Sequence, residues 1–363
     1  MIKNSIILFS LLALAACHKP KSPLENYDRA TMLKTTADSV VTPSYVALAD
    51  ACNQLNTSAV SFSGNVNAGT LTDLRNNWNN AIAKWMRCEM FNFEYANANS
   101  LNNQIDAWPV DIAVIESEIH GSNTIDESYI AATGTTRKGL STLEYLLYGT
   151  TNNQQEVLDS FTTSAFATRR LQYLQAVCAH VKTQSQAAAT DWNGGTSYNH
   201  FISQTQLDIG GSMNLLVNGL IEHIEFVRKN KVGKPLGTDN GGVADGSLAE
   251  NRYAPRSIEN IKENIAAWRD IVTAKSGTGL DDYLDHVDAQ YNGQKLSTAL
   301  VTQMDVCIQK ADAVTLPLSA AVTQQQSQVQ ALYLELKKLT VMTKADMSSS
   351  LGVIITFSDN DGD

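Results

Sequence analysis

The chain has no Cys-x-x-Cys pair, no His-Glu-x-x-His motif and no long run of Lys or Arg. Each absence closes off a class of chemistry. Beyond Cys17 the cysteines are Cys52, Cys88, Cys178 and Cys307, spaced for neither a zinc finger nor a local metal cluster, and they read as small buried hydrophobes. His120, His180, His200, His223 and His286 stand apart from one another. Asp282 and His286 form a local acid–histidine pair at i, i+4 of possible ligand spacing, read here as surface chemistry. With 27 basic against 37 acidic residues and a net charge of -10, the chain offers no electrostatic footprint for nucleic acid. Strand-type alternation is almost absent too.

What is present begins with a targeting pattern. Lys3 supplies a positive end, Ile6 to Ala16 an apolar run too short to cross a bilayer, and Leu14-Ala-Ala-Cys17 a small-residue cleavage site. Leu-Ala-Ala-Cys resembles the bacterial lipobox, which implies a signal peptide over 1–16, a lipid anchor on Cys17 and a membrane as partner. His18 rather than Asp follows Cys17, which by resemblance to bacterial sorting patterns points to an outer-membrane lipoprotein on the periplasmic or surface face. Residues 17–28, with two prolines and several charges, read as a tether.

The 363 residues, 43% hydrophobic, are enough for two domains. Leu71, Leu74, Trp78, Ala81, Trp85 and Cys88 recur at steps of three and four, the stripe of an amphipathic helix with both tryptophans in the core. The same periodicity predicts helices near 31–55, 155–192, 208–230, 257–274, 280–291, 295–314 and 318–338. Gly194-Gly195 marks the break between a first domain over 29–193 and a second over 194–363. Asn240 to Gly246 reads as a surface loop. The tail from Gly352 has a short apolar run of strand type, and its closing aspartates read as a solvated acidic end rather than a calcium loop.

The stretch Arg137 to Gly149 carries the candidate site. Leu140, Leu143 and Leu147 form an apolar stripe, and Glu144 falls on or beside it. A carboxylate drawn into a helix contact is costly unless a cation, a hydrogen-bond donor or a metal meets it. Arg137, Ser141, Glu144 and Tyr148 are separated by four, three and four, so one continuous helix would line them along an edge as ligand-binding candidates. Two blander accounts compete: Ser141-x-x-Glu144 as a capping box, and Arg137 with Glu144 as a structural ion pair. Asp106, Asp111, Glu116 and Glu118 supply further carboxylates nearby. Asp111 is the preferred second member, with an N-cap as its plain alternative.

Several segments in order resemble the imelysin-like family of bacterial exported proteins. They are Leu74-Arg-Asn-Asn-Trp78 with Trp85 and Glu89, Ile105 to Asp111, Arg137 to Gly149, Arg169 to Tyr173, Lys234 to Gly237, and Arg256 to Asn260. The resemblance covers about residues 30 to 355. It implies an all-α protein of two four-helix-bundle domains packed side by side, with a site near their interface around a Gly-x-His-x-x-Glu motif. It also implies relatives that are metallopeptidases able to cleave insulin, or that are linked to the uptake of iron or other metals.

In this chain the motif reads Gly139-Leu-Ser141-Thr-Leu-Glu144, so a serine stands at the histidine position. A neutral hydroxyl is a poor substitute for imidazole as a metal ligand. A divalent metal or iron would need ligands from elsewhere, with Glu144 and Asp111 as the residues to consider. The resulting expectation is an envelope lipoprotein that binds a metal, a small ligand or a protein partner at the domain interface, linked to iron uptake, without peptidase activity. The alternatives are a metallopeptidase with Glu144 as general base beside an activated water, and a purely structural envelope protein.

Overall fold

The computed structural model describes residues 22–357, so the signal segment, Cys17 and the terminal aspartates lie outside the described residues. Ten helices, with further short ones between them, carry the fold: α1 (Arg29–Thr36), α2 (Thr42–Gly64), α3 (Ala68–Cys88), α4 (Ile112–His120), α5 (Gly139–Tyr148), α6 (Ala167–Trp192), α7 (Ser212–Phe226), α8 (Ser257–Thr273), α9 (Leu296–Asp312) and α10 (Gln326–Val341). The all-α class read from the periodicity is what the chain adopts.

Helix α3 shows how sequence becomes packing. Asn67 caps it through the amides of Gly69 and Thr70, and its stripe of Leu71, Leu74, Trp78, Ala81, Trp85 and Cys88 is fully buried. Each buried leucine on that stripe contributes on the order of 1.5–3 kcal/mol over its exposed state. Helices α2, α3, α5 and α6 pack on one another, α7, α8, α9 and α10 form a second group, and α3 against α8 joins the two. A continuous hydrophobic core runs through both groups. The four cysteines Cys52, Cys88, Cys178 and Cys307 are buried in it with free thiols.

Several expected boundaries move. The stretch over 155–192 breaks into Gln154–Thr162 and α6, with a turn over 163–166 in which the Ser164 amide donates to the Asp159 carbonyl at 3.1 Å. The expected helix over 280–291 ends at His286. Asn292 and Gly293, both with positive φ, then turn a small antiparallel hairpin of β1 (Gln290–Tyr291) and β2 (Gln294–Lys295). The strand-like tail forms no ladder among the described residues. Instead Asn218 of α7 donates to the Ile354 carbonyl at 2.9 Å and accepts from the Thr356 amide at 2.9 Å.

The described part of the expected tether is docked. Tyr27 stacks on Tyr283 with ring centroids 4.1 Å apart, and the Leu24 carbonyl accepts from both Arg29 and Tyr283. No helix among the described residues is long and apolar enough to cross a membrane.

Candidate functional site: an acidic cavity between two helix groups

Gly139 sets the start of α5. Its φ of +84° is left-handed, and a Cβ there would lie 2.5 Å from the Ile105 carbonyl oxygen, so the segment carrying Asp106 packs directly on its backbone. Because Lys138 is extended, the helix does not continue back to Arg137. Arg137 lies in a short turn, Thr135–Arg137, and pairs with Glu118 at 2.5 Å. The single edge expected from the spacing is therefore divided: Ser141, Glu144 and Tyr148 share α5, while Arg137 faces α4. The Arg137–Glu144 pair does not form, and neither does the capping box, since Ser141 lies inside the helix rather than at its cap.

Glu144 is 4% exposed and finds its partners in a loop that precedes α8. Its Oε1 accepts the main-chain amides of Tyr253 and Ala254, both at 2.8 Å, and its Oε2 accepts the side-chain amide of Asn251 at 3.2 Å. Burial is the main cause that raises its carboxyl to about 7, with the nearby charge of Glu250 adding to the rise and these three donors opposing it. Tyr148 looks elsewhere, accepting from Asn79 at 3.2 Å with Arg75 4.6 Å over its ring. Asp111 is exposed and caps α4 through the Val114 amide at 3.1 Å, so the plain alternative describes it. The carboxyl brought to Ser141 is Asp106, whose Oδ1 accepts the serine hydroxyl at 2.6 Å.

Beside these residues lies a buried polar network. The Lys231 ammonium directs its three protons at Glu89 (2.7 Å), Glu250 (2.9 Å) and the Asn264 side-chain oxygen (3.1 Å). Burial alone would raise the Glu89 carboxyl, but the Lys231 charge and the His223 hydrogen bond outweigh it and hold that group far below the ordinary range. Asn260 ties the network to the loop, donating to Glu250 at 3.0 Å and to Asn251 at 2.6 Å. His223 bridges Glu89 at 3.1 Å and the indole N–H of Trp268 at 2.8 Å.

These groups border a cavity of about 580 Å³. Gly219, Glu222, His223 and Phe226, at helical steps on one face of α7, supply one wall; Asp106 to Val110 supply a second, and Ser247 to Tyr253 a third. Asp106, Ser141, Glu144, Glu89 and His223 are buried at its base, while Glu222, Lys234 and Leu248 are exposed around it.

The sequence reading missed the loop donors at Asn251, Tyr253 and Ala254, which carry no motif because main-chain amides are supplied by any residue. The Asn260–Asn264–Trp268 row on the buried face of α8 was a usable signal, since asparagine on a core stripe demands partners. The residues do not fit a resident metal. Among the described residues no group of three or more His, Cys, Asp or Glu side chains is placed to hold one. Both Glu144 oxygens are already engaged, and Ser141 is directed at Asp106.

An all-helical protein with an acidic cavity between two helix groups is the class this architecture defines. The chain belongs to the imelysin family, whose model matches residues 41–342. It is 24% identical over 241 residues to iron-regulated protein A of Synechococcus elongatus, a match covering 64% of this chain and 61% of that relative's length. Two solved structures share its fold. One, from Parabacteroides distasonis ATCC 8503, is described as an iron-regulated protein A precursor, with a TM-score of 0.75 and 19% identity over 93% of this chain and 97% of that one. The other is an imelysin-like protein from Psychrobacter arcticum 273-4, with a TM-score of 0.74 and 19% identity over 91% and 97%.

Proposed function

We propose that this protein is an imelysin-family binding protein of the bacterial envelope, without peptidase activity, which holds a small organic ligand in the cavity beside Asp106, Ser141 and Glu144. The supporting observation is the state of Glu144. Loop donors fill three of the carboxylate's four acceptor positions, two main-chain amides on one oxygen and Asn251 on the other, so its hydrogen bonding is committed chiefly to the loop. The carboxylate acts as a fastener that holds the loop walling the cavity. A cavity of this size, apolar at Trp108 and Phe226 and polar at its base, has the make-up of a small-molecule site.

The envelope placement rests on the Leu14-Ala-Ala-Cys17 pattern, with the outer membrane as destination and Cys17 as the lipidated residue. The relatives named for iron regulation support a role in iron acquisition. Incubation with insulin, with zinc or iron present, should leave the peptide intact. Cleavage that Glu144→Ala abolishes would overturn the reading. Labelling with a fatty-acid analogue should mark the wild type and not Cys17→Ser, and iron starvation should raise the protein's abundance.

A further inference from the structure

The base of the cavity carries more acid than its buried network neutralises. One ammonium, Lys231, stands between two carboxylates, Glu89 and Glu250, at 2.7 and 2.9 Å. His223 adds no charge there: burial first, and the Lys231 charge with it, lower its proton affinity against the pull of Glu89. Asp106 lines the same cavity, 8% exposed. Its Oδ1 takes the Ser141 hydroxyl, and its Oδ2 has no hydrogen-bond partner. Buried polar oxygens are rarely left unpaired, so this orphan, on a residue that borders the cavity, calls for a donor.

The sign of that ligand follows from the field around the orphan atom. Burial, then the charges of Glu250 and Glu89, push the Asp106 carboxyl well above the ordinary range, opposed by Ser141 and Lys231. Glu144 and Glu222 border the cavity as further acids. The cations there are Lys234, exposed at the rim, and Arg252, which donates to the Ser247 carbonyl at 2.6 Å and lies 4.7 Å over the Tyr253 ring of its own loop. Burial disfavours charge of either sign, but the negative charges of Glu250 and Glu89 beside Asp106 repel anions and draw cations. The apolar part of the wall is Trp108 and Phe226, whose ring centroids are 6.4 Å apart, and aromatic faces favour a cationic neighbour as well.

Building on the binding reading above, we infer that the cavity takes a small organic cation, an amine or guanidine, with its charged head on Asp106 and its apolar body along Trp108 and Phe226. The exchange balances: one positive charge enters, and the Asp106 proton leaves to solvent. The carboxylate then keeps the Ser141 hydroxyl on Oδ1 and gains a ligand N–H on Oδ2. Affinity therefore rises with pH until Asp106 is ionised in the empty cavity, and falls once the amine itself loses its proton near pH ~10.

Calorimetry on the full chain, with phenethylamine beside its neutral counterpart 2-phenylethanol, tests this. The amine should bind at least tenfold more tightly than the alcohol at pH 8 and lose about tenfold for each pH unit below that, the slope set by one proton released. Buffers of different ionisation enthalpy should report one proton released. Asp106→Asn should bring the amine down to the alcohol's affinity and leave the alcohol unchanged. Should that variant not fold, Ser141→Ala keeps the acid, removes its donor and should move the amine's pH dependence upward. Equal affinity for the two probes, or amine affinity unchanged in folded Asp106→Asn, overturns the cation assignment while leaving the cavity a ligand site. No amine binding between pH 6 and 9 also overturns it, and the insulin experiment then judges the wider reading separately.

Discussion

Trp268 donates its indole N–H to Nδ1 of His223 at 2.8 Å, and this bond decides the tautomer of a histidine that borders the cavity. An indole nitrogen can only donate, so Nδ1 must accept and the ring proton must sit on Nε2, facing Glu89 at 3.1 Å. Nitrogen-15 NMR of the ring should therefore report a neutral Nε2–H form at pH 7. Trp268→Phe should free Nδ1, raise the pH at which His223 titrates and cost about 1–3 kcal/mol in a urea titration. A ring still neutral in the same tautomer, with unchanged titration, would count against this account.

Lys231→Met should be among the most damaging single changes in the chain. It leaves Glu89 and Glu250 buried without their shared cation, a loss of roughly 3–5 kcal/mol. Adding Glu89→Gln to that variant should recover part of the loss, since one of the two stranded charges is gone. The double variant being as unstable as the sum of the singles would show that the three groups are not coupled.

Glu144 gives stability a pH dependence of unusual sign for a carboxyl. In the unfolded chain it ionises near 4.5, and in the folded protein at about 7. Between these values the folded state holds a proton that the unfolded chain has released, so stability falls as pH rises through the window and levels off above it. The contribution is on the order of 3 kcal/mol across the window. Glu144→Gln removes this titration, so its stability plotted against pH should be flatter than the wild type's between pH 5 and 7. Parallel curves would refute the assignment.

The loop held by Glu144 should loosen when the carboxylate is removed. Hydrogen exchange at the Tyr253 and Ala254 amides should quicken by at least tenfold in Glu144→Ala, with a stability loss of about 2–4 kcal/mol from the stranded donors. Exchange at Val114, capped separately by Asp111, should not change.

Gly139→Ala should act at a distance from its own position. The new methyl meets the Ile105 carbonyl, and the φ of +84° disfavours any side chain, so a loss of at least ~2 kcal/mol is expected. The displaced segment carries Asp106, so phenethylamine affinity should fall in the folded fraction as well. Retained affinity would show that the Ile105–Asp106 backbone adjusts locally.

How far the sequence could be read depended on the range of each signal. The helical class, the buried tryptophans of α3 and the placing of Ser141 and Glu144 on one helix all follow from local periodicity. Arg137 was misjudged because the break at Lys138 comes from a contact between Gly139 and Ile105, more than thirty positions away in the chain and invisible to spacing. Asp111 was preferred to Asp106 although both bracket Trp108-Pro109; an exposed cap and a buried acid look alike until burial is known. The Asn292-Gly293 turn, by contrast, was legible and was overlooked under a helical pattern.

Asn218 gives the C-terminal segment an influence that its length conceals. Its side-chain amide takes both hydrogen bonds that a neighbouring strand would offer to Ile354 and Thr356, so the tail is clipped to α7 by one residue. The next residue along, Gly219, already borders the cavity, and Glu222, His223 and Phe226 follow on that face. Asn218 stands one turn before Glu222, so the tail and the cavity lie on adjoining flanks of the same helix. An extension fused beyond Phe357 leaves that clip in place, whereas a chain cut before Ile354 uncovers the flank of the helix beside the cavity.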